Sequence, residues 1–293
     1  MTLHIEGMGW LGSLIAARLH RDGYDFTWHD TETPIRAWRA STGLVSPDGD
    51  DRSRAELDAF NAEVRPLLGD YCEPVTYCYS HKNPPHSGVY PTQPLRPGLT
   101  AALTDAYVVD VPGFVHATRR RHTEQRTEGV PRDAHLVIQA HSGGRTGAQI
   151  WGWSALAQLH IPADIVEAAP NPVFYGRVVR RIAYAYPLPG TKLHRIGSTM
   201  VRQTQPKPLD AVKHLHRWSV DFANLFPSIR VDIAGEPVQG WRPSPRENDS
   251  GGPEFVQRNG GPARLTMPPL AHSGVRWSPS VLRAAYGAIQ GVI

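Results

Sequence analysis

The sequence predicts an α/β chain made of two interleaved parts, one a parallel sheet with helices and the other mainly antiparallel β. Three observations predict it. The chain opens as strand, glycine turn, helix and second strand. Its middle reads as successive β segments with a hairpin signal, and its end returns to short apolar pieces and a closing helix. By this reading residues 1–70, 106–146 and 238–293 form the parallel part, and 71–105 with 147–237 form the antiparallel part.

The opening is the most specific stretch. Strand Leu3 to Glu6 runs into Gly7-Met8-Gly9-Trp10-Leu11-Gly12, and Leu11, Leu14, Ile15, Ala17 and Leu19 then recur at helical spacing until Gly23. Each glycine answers a steric demand of a dinucleotide-binding βαβ unit. Gly7 permits the tight turn, Gly9 lets backbone approach a pyrophosphate, and Gly12 lets helix and strand pack closely. The helix N-terminus favours the phosphate charge. Tyr24 to His29 reads as strand two and ends at Asp30, where such units keep an acid for a ribose 2′-hydroxyl.

The remaining elements follow in order. Thr31 to Asp50 lacks periodicity, and its small residues around Gly43 suggest backbone lying against something flat. Arg52 to Leu68 reads as a helix and Tyr71 to Tyr79 as a strand. Pro84 to Pro97 reads as an ordered loop or lid. Val108 to Val115, interrupted by Pro112, reads as a strand leading into a helix over Phe114 to His122, and His135 to Ala140 as a buried strand. Ile165 to Ala169, Val178 to Tyr186 and Lys192 to Thr199 read as strands of an antiparallel sheet, with Pro187-Leu188-Pro189-Gly190 as the hairpin between the last two. Leu209 to Phe226 is helical by periodicity, and Ser280 to Gln290 closes the chain as a helix just after Pro279.

Composition bounds the function. The chain has 293 residues, 40% of them hydrophobic, and no apolar run approaches the ~20 residues that cross a bilayer. A cytoplasmic protein without membrane association is expected. Cys72 and Cys78 are too few for a disulfide framework and stand in no metal-ligand spacing, so reduced thiols and no metal are expected. The net charge of +4 is concentrated in Arg119-Arg120-Arg121-His122, with Arg126 and Arg132 near it, and in Arg177, Arg180 and Arg181. Such blocks form either solvated faces or a surface for a polyanion.

Several segments together resemble the flavin-dependent D-amino acid oxidase superfamily, which includes glycine oxidase and sarcosine oxidase. Gly7 to Gly12 resembles its FAD fingerprint, and Arg39-Ala40-Ser41-Thr42-Gly43-Leu44 resembles the loop beside the isoalloxazine. His135 to Gly143 resembles the strand and glycine turn that cover the cofactor. Arg195-Ile196-Gly197-Ser198-Thr199-Met200, Gly240-Trp241-Arg242-Pro243-Ser244-Pro245 and Ala271-His272-Ser273-Gly274 resemble later motifs of the family, in the right order. The chain departs from the pattern in its short length, in Pro245 where threonine is common, and in Glu247 to Gly252.

The resemblance implies non-covalent FAD held by Gly7, Gly9, Trp10, Leu11, Gly12, Asp30, Arg39, Ala40, Ser41, Gly43, Leu44, Ser142, Gly143, Arg242, Gly274 and Val275. It implies that Arg242 grips a substrate carboxylate, that Tyr184, or its rival Tyr186, lies over the substrate, and that His272 lines the flavin. The implied reaction is oxidation of a C–N bond in a glycine-like or secondary amine by hydride transfer to flavin N5, giving an imine that is hydrolysed. A small amine or amino acid is the expected substrate; a glycyl or aminoalkyl group on a modified nucleotide or DNA base, as in phage thymine hypermodification, is the alternative. Two further readings stay open: an NAD-dependent dehydrogenase sharing the opening motif, and a noncatalytic FAD-fold protein.

Overall fold

Two sheets organise the chain, and a computed structural model describes residues 2–30, 37–41, 43–45, 51–80, 92–140, 149–178, 181–198, 201–203, 209–243, 254–256, 261–267 and 278–291. The elements in order are β1 (Leu3–Glu6), α1 (Trp10–Arg21), β2 (Phe26–His29), a 3₁₀ turn (Ala37–Ala40), β3 (Gly43–Val45), α2 (Asp51–Ala59), a π turn (Phe60–Val64) and α3 (Arg65–Leu68). They continue with β4 (Cys72–Ser80), β5 (Thr92–Arg96), β6 (Leu99–Val109), α4 (Val111–Arg121), β7 (Leu136–Gln139), β8 (Gln149–His160) and α5 (Ala163–Ala168). The last are β9 (Pro172–Val178), β10 (Arg181–Pro187), β11 (Leu193–Ser198), β12 (Val201–Gln203), α6 (Ala211–Leu225), β13 (Arg230–Ile233), β14 (Val238–Pro243), β15 (Glu254–Val256), β16 (Ala263–Thr266) and α7 (Ser278–Gln290).

The first sheet has the order β15-β16-β7-β1-β2, parallel except for β15. Alternation along its strands sends Leu3, Ile5, Leu136, Ile138 and Leu265 into one core with α1 and α7. The opposite face carries a polar ladder. Glu6 accepts from Gln139 Nε2 at 2.9 Å, Thr266 Oγ1 donates to Gln139 Oε1 at 2.9 Å, and His4 Nε2 meets His29 Nδ1 at 2.7 Å. The second sheet runs β12-β8-β11-β10-β9-β4-β6-β3, with β13 and β14 also on β8 and β5 on β6. It is antiparallel apart from the β4–β9 pair. One face packs Ala155, Ala157, Phe174, Ala183, Ala185 and Ile196 against Trp218, Phe222 and Leu225 of α6.

The mixed α/β class with one parallel and one mainly antiparallel sheet is therefore observed. Four local expectations are corrected. Residues 163–168 are helix, because Pro162 and Asp164 favour a helix start over the β-branched Ile165-Val166 pair. Val178 to Tyr186 is two strands, with Val178 opposite Arg181. Thr92 to Arg96, within the expected proline-rich loop, is a strand; it pairs only with β6, and an edge tolerates Pro94. Residues 84–91 of that loop lie outside the described residues. Pro112 and Pro279 fall in the first turns of α4 and α7, where no backbone N–H is needed, and break nothing.

Candidate active site

The turn between β1 and α1 separates two kinds of glycine. Gly7 takes φ 97°, a region that favours glycine, and donates to His29 O at 2.9 Å. A Cβ on Gly12 would lie 2.0 Å from Gly7 O, so the fold itself forbids a side chain there. Gly9 is different: its φ is −80°, and a Cβ would meet nothing nearer than Trp38 Cδ1 at 3.4 Å. The described residues leave room for a methyl at Gly9, so the fold itself does not forbid a side chain there. Gly9 also caps α1 without any side-chain hydrogen bond, which leaves the first-turn N–H groups to a ligand anion.

Beside this cradle sits a cationic, aromatic wall. Trp38 lies 5.1 Å beneath the guanidinium carbons of both Arg39 and Arg119, with the edge of His116 at 4.9 Å. Burial, then the charges of Arg39 and Arg119, lowers the His116 pKa and keeps its imidazole neutral. Trp38 Nε1 and Arg39 Nε are buried with no hydrogen-bond partner among the described residues. Two orphan donors next to a glycine-lined helix N-terminus suit an anionic dinucleotide. Asp30 ends β2 as expected, but its carboxylate is buried and paired with Arg119, whose Nε also donates to Met8 O at 2.8 Å. Arg119 thus locks the acid to the glycine turn and belongs to no solvated block.

The antiparallel sheet also has a second face. Tyr77, Tyr175, Tyr184 and Tyr186 gather there, with Tyr184 stacked on Tyr186 at 4.6 Å and Tyr77 tilted against Tyr175 at 5.6 Å. Tyr186 is buried, and burial with its three tyrosine neighbours pushes its pKa well up; Tyr77, Tyr175 and Tyr184 are half-buried. The Tyr184 hydroxyl lies over Gly197, whose Cβ would be 2.2 Å from it. Opposite Tyr186 on β11 stands Arg195, 12% exposed. Its Nη1 donates to Ser154 Oγ at 3.4 Å, and its Nη2 is 3.9 Å from Asp110 Oδ1, which already accepts the Gly113 N–H that caps α4. Burial pulls the Arg195 pKa down, against the pull of Asp110.

The 3₁₀ turn links the cradle to the second sheet. The 3₁₀ turn carrying Trp38, Arg39 and Ala40 lies against β14 and β8, and Ser41 closes it by donating to Trp38 O at 3.3 Å. Gly43 then enters β3 beside β6, where a Cβ would be 2.8 Å from Val109 O. Leu44 packs onto the tyrosine cluster. The backbone of Arg242 is in β14, opposite Ile150 of β8. Leu11 is buried in the first core and Trp10 donates to Ser278 Oγ at 2.8 Å, so their side chains serve packing. Ser142, Gly143, His272, Gly274 and Val275 lie outside the described residues. Arg119, Trp38, Arg195, Tyr77 and Tyr175 were not foreseen as site residues. Period-two alternation from Gly197 would have placed Arg195 on the tyrosine face.

No family model and no curated protein sequence matches the chain. Among solved structures it is similar to iminodiacetate oxidase from Chelativorans sp. BNC1, at 16% identity and a TM-score of 0.68 over 99% of this chain and 95% of that one. Glycine oxidase from Geobacillus kaustophilus gives 13% identity and 0.64 over 99% and 94%. A glycerol-3-phosphate dehydrogenase from Bacillus halodurans, solved with FAD, gives 13% and 0.59 over 100% and 65%. The chain shares the fold of these oxidases and of an FAD-bound dehydrogenase over nearly its whole length.

Proposed function

We propose that the chain is an FAD-dependent oxidoreductase acting on the C–N bond of a glycine-like or secondary amine. The observation that carries this is the pairing, through the 3₁₀ turn packed on β8 and β14, of a glycine-turn cradle with orphan donors on Trp38 and Arg39 and a sheet face of tyrosines. The likeness in fold to glycine oxidase and iminodiacetate oxidase supports the same reading. Gly9 and the α1 N-terminus would take the pyrophosphate, Asp30 would be held toward a ribose by Arg119, and the turn 37–41 with Leu44 would lie beside the ring system. A bound flavin supplies a hydride acceptor for the carbon beside the amine nitrogen. The protein then has to orient that carbon and exclude water, which the apolar Tyr184, Tyr186 and Leu44 surface suits. Arg242 in β14 would grip a carboxylate. By this reading the first sheet with its helices holds cofactor and the second sheet forms the substrate wall, although β3, the end of β6 and β14, expected in the first part, belong to the second sheet.

A small substrate is favoured over one on DNA by the likeness in fold to glycine oxidase and iminodiacetate oxidase. The test is anaerobic reduction of the purified yellow protein with free amino acids, N-substituted glycines and amine-modified DNA. Bleaching by small amines is expected; bleaching by modified DNA alone would overturn the small-substrate reading, and a colourless protein would overturn the flavin reading.

A further inference from the structure

Arg195 is a largely buried cation, 12% exposed, whose guanidinium the described residues engage only in part. A guanidinium has five N–H donors and stays charged inside proteins. Among the described residues its contacts are one long hydrogen bond to Ser154 and a 3.9 Å approach to an Asp110 oxygen already in use. Burying such a charge costs several kcal/mol unless oxygens complete its shell. Its neighbours on the same face are Tyr184 and Tyr186.

Arg195 and Arg242 also stand at well-separated backbone positions. β8 lies between the two strands; Arg195 pairs with its Leu156 and Arg242 with its Ile150. At the ordinary rise per strand residue, those positions are roughly 20 Å apart along β8. We propose that Arg195 is a second oxyanion subsite, so that the substrate is an amine bearing a carboxylate for the Arg242 region and a further carboxylate that docks between Arg195 and Tyr184. This rests on the amine-oxidation reading above.

The experiment compares two probes on the flavin-loaded protein: a glycine N-substituted with an ω-carboxyalkyl chain, and one with a plain alkyl chain of equal length. Dissociation constants come from perturbation of the flavin spectrum, and KM and kcat from turnover. Wild type should prefer the carboxyalkyl probe by ~10-fold or more, as a charge-assisted pair gives. Arg195→Gln should collapse that preference toward one, chiefly through KM, and Arg195→Lys should restore part of it. Arg242→Gln should weaken both probes together and keep the preference. Should Arg195→Gln not fold, Arg195→Lys carries the test, since it keeps the charge and loses the forked geometry. Absence of the preference in wild type, or equal weakening of both probes by the Arg195 variants, overturns the subsite while leaving amine oxidation intact. Failure of wild type to be bleached by any amine sinks both.

Discussion

At Gly9 and Gly12 the same added methyl has opposite meanings. At Gly12 it would stand 2.0 Å from a backbone oxygen that is itself fixed by Gly7 at positive φ, so Gly12→Ala should lose several kcal/mol of stability with or without cofactor. At Gly9 it meets only the Trp38 ring at 3.4 Å, so Gly9→Ala should melt within ~1 kcal/mol of wild type as apoprotein yet bind FAD much more weakly. Melting curves with and without FAD check both, and equal loss at the two positions would contradict the assignment of the cradle. His194 is a second residue whose environment fixes its behaviour. Buried on β11 with neither ring nitrogen hydrogen-bonded among the described residues, it is held neutral, its pKa pushed down to about 4 by burial. An orphaned buried polar ring gives little to the fold, so His194→Leu should raise stability at pH 7 by ~1 kcal/mol in a denaturant melt. Cys72 and Cys78 are buried with pKa values pushed up to about 12, which makes both thiols inert toward alkylating reagents in the folded protein.

Among the elements, α6 positions the candidate site from behind. Trp218, stacked on Phe222 at 4.7 Å, donates its Nε1 to the carbonyl of Tyr184 at 3.2 Å, so the helix grips the strand whose other face carries the Tyr184 ring. Trp218→Phe keeps most of the packing and loses that bond; it should lower stability by ~1 kcal/mol and raise KM for the amine. An unchanged KM beside lowered stability would confine Trp218 to the core. This helix was readable in sequence because its apolar positions recur at helical spacing over four turns, as were β1, α1 and β2 around their glycines. Short elements were not: α5 has six residues, too few for a period, and its Ile165-Val166 pair looks like strand. The β9–β10 hairpin carries no glycine or asparagine at 179–180 to announce its turn. Arg195 was visible within a recognisable motif, but its burial and weak pairing depend on Ser154 and Asp110, which come from distant elements.

Across the whole molecule, neutral buried histidines tie the stability of both sheets to one pH window. His4 on β1, His122 at the end of α4 and His194 on β11 each have a pKa lowered from 6.5 to about 4, in every case chiefly by burial. His4 faces Glu6 and His29 across the polar ladder, and His122 lies against His20, Arg121 and Phe26. In each, the unfolded chain takes up a proton near pH 6.5 while the folded protein resists until about pH 4. The unfolded state therefore binds more protons throughout that interval, and stability falls as pH falls from 6.5 to 4, with the loss complete below it. For His194 alone the loss is on the order of 3 kcal/mol, and three such groups together are a large fraction of a typical domain's stability. Because they sit in both sheets, neither part should outlast the other in acid. FAD at 100 times its dissociation constant should return ~2.7 kcal/mol. Melts of apo and loaded protein at intervals from pH 7 to 4 should thus show a steep common decline, offset upward by cofactor, with a shallower slope in His194→Leu. A slope untouched by that substitution would mean that carboxylates, not buried histidines, set the acid limit.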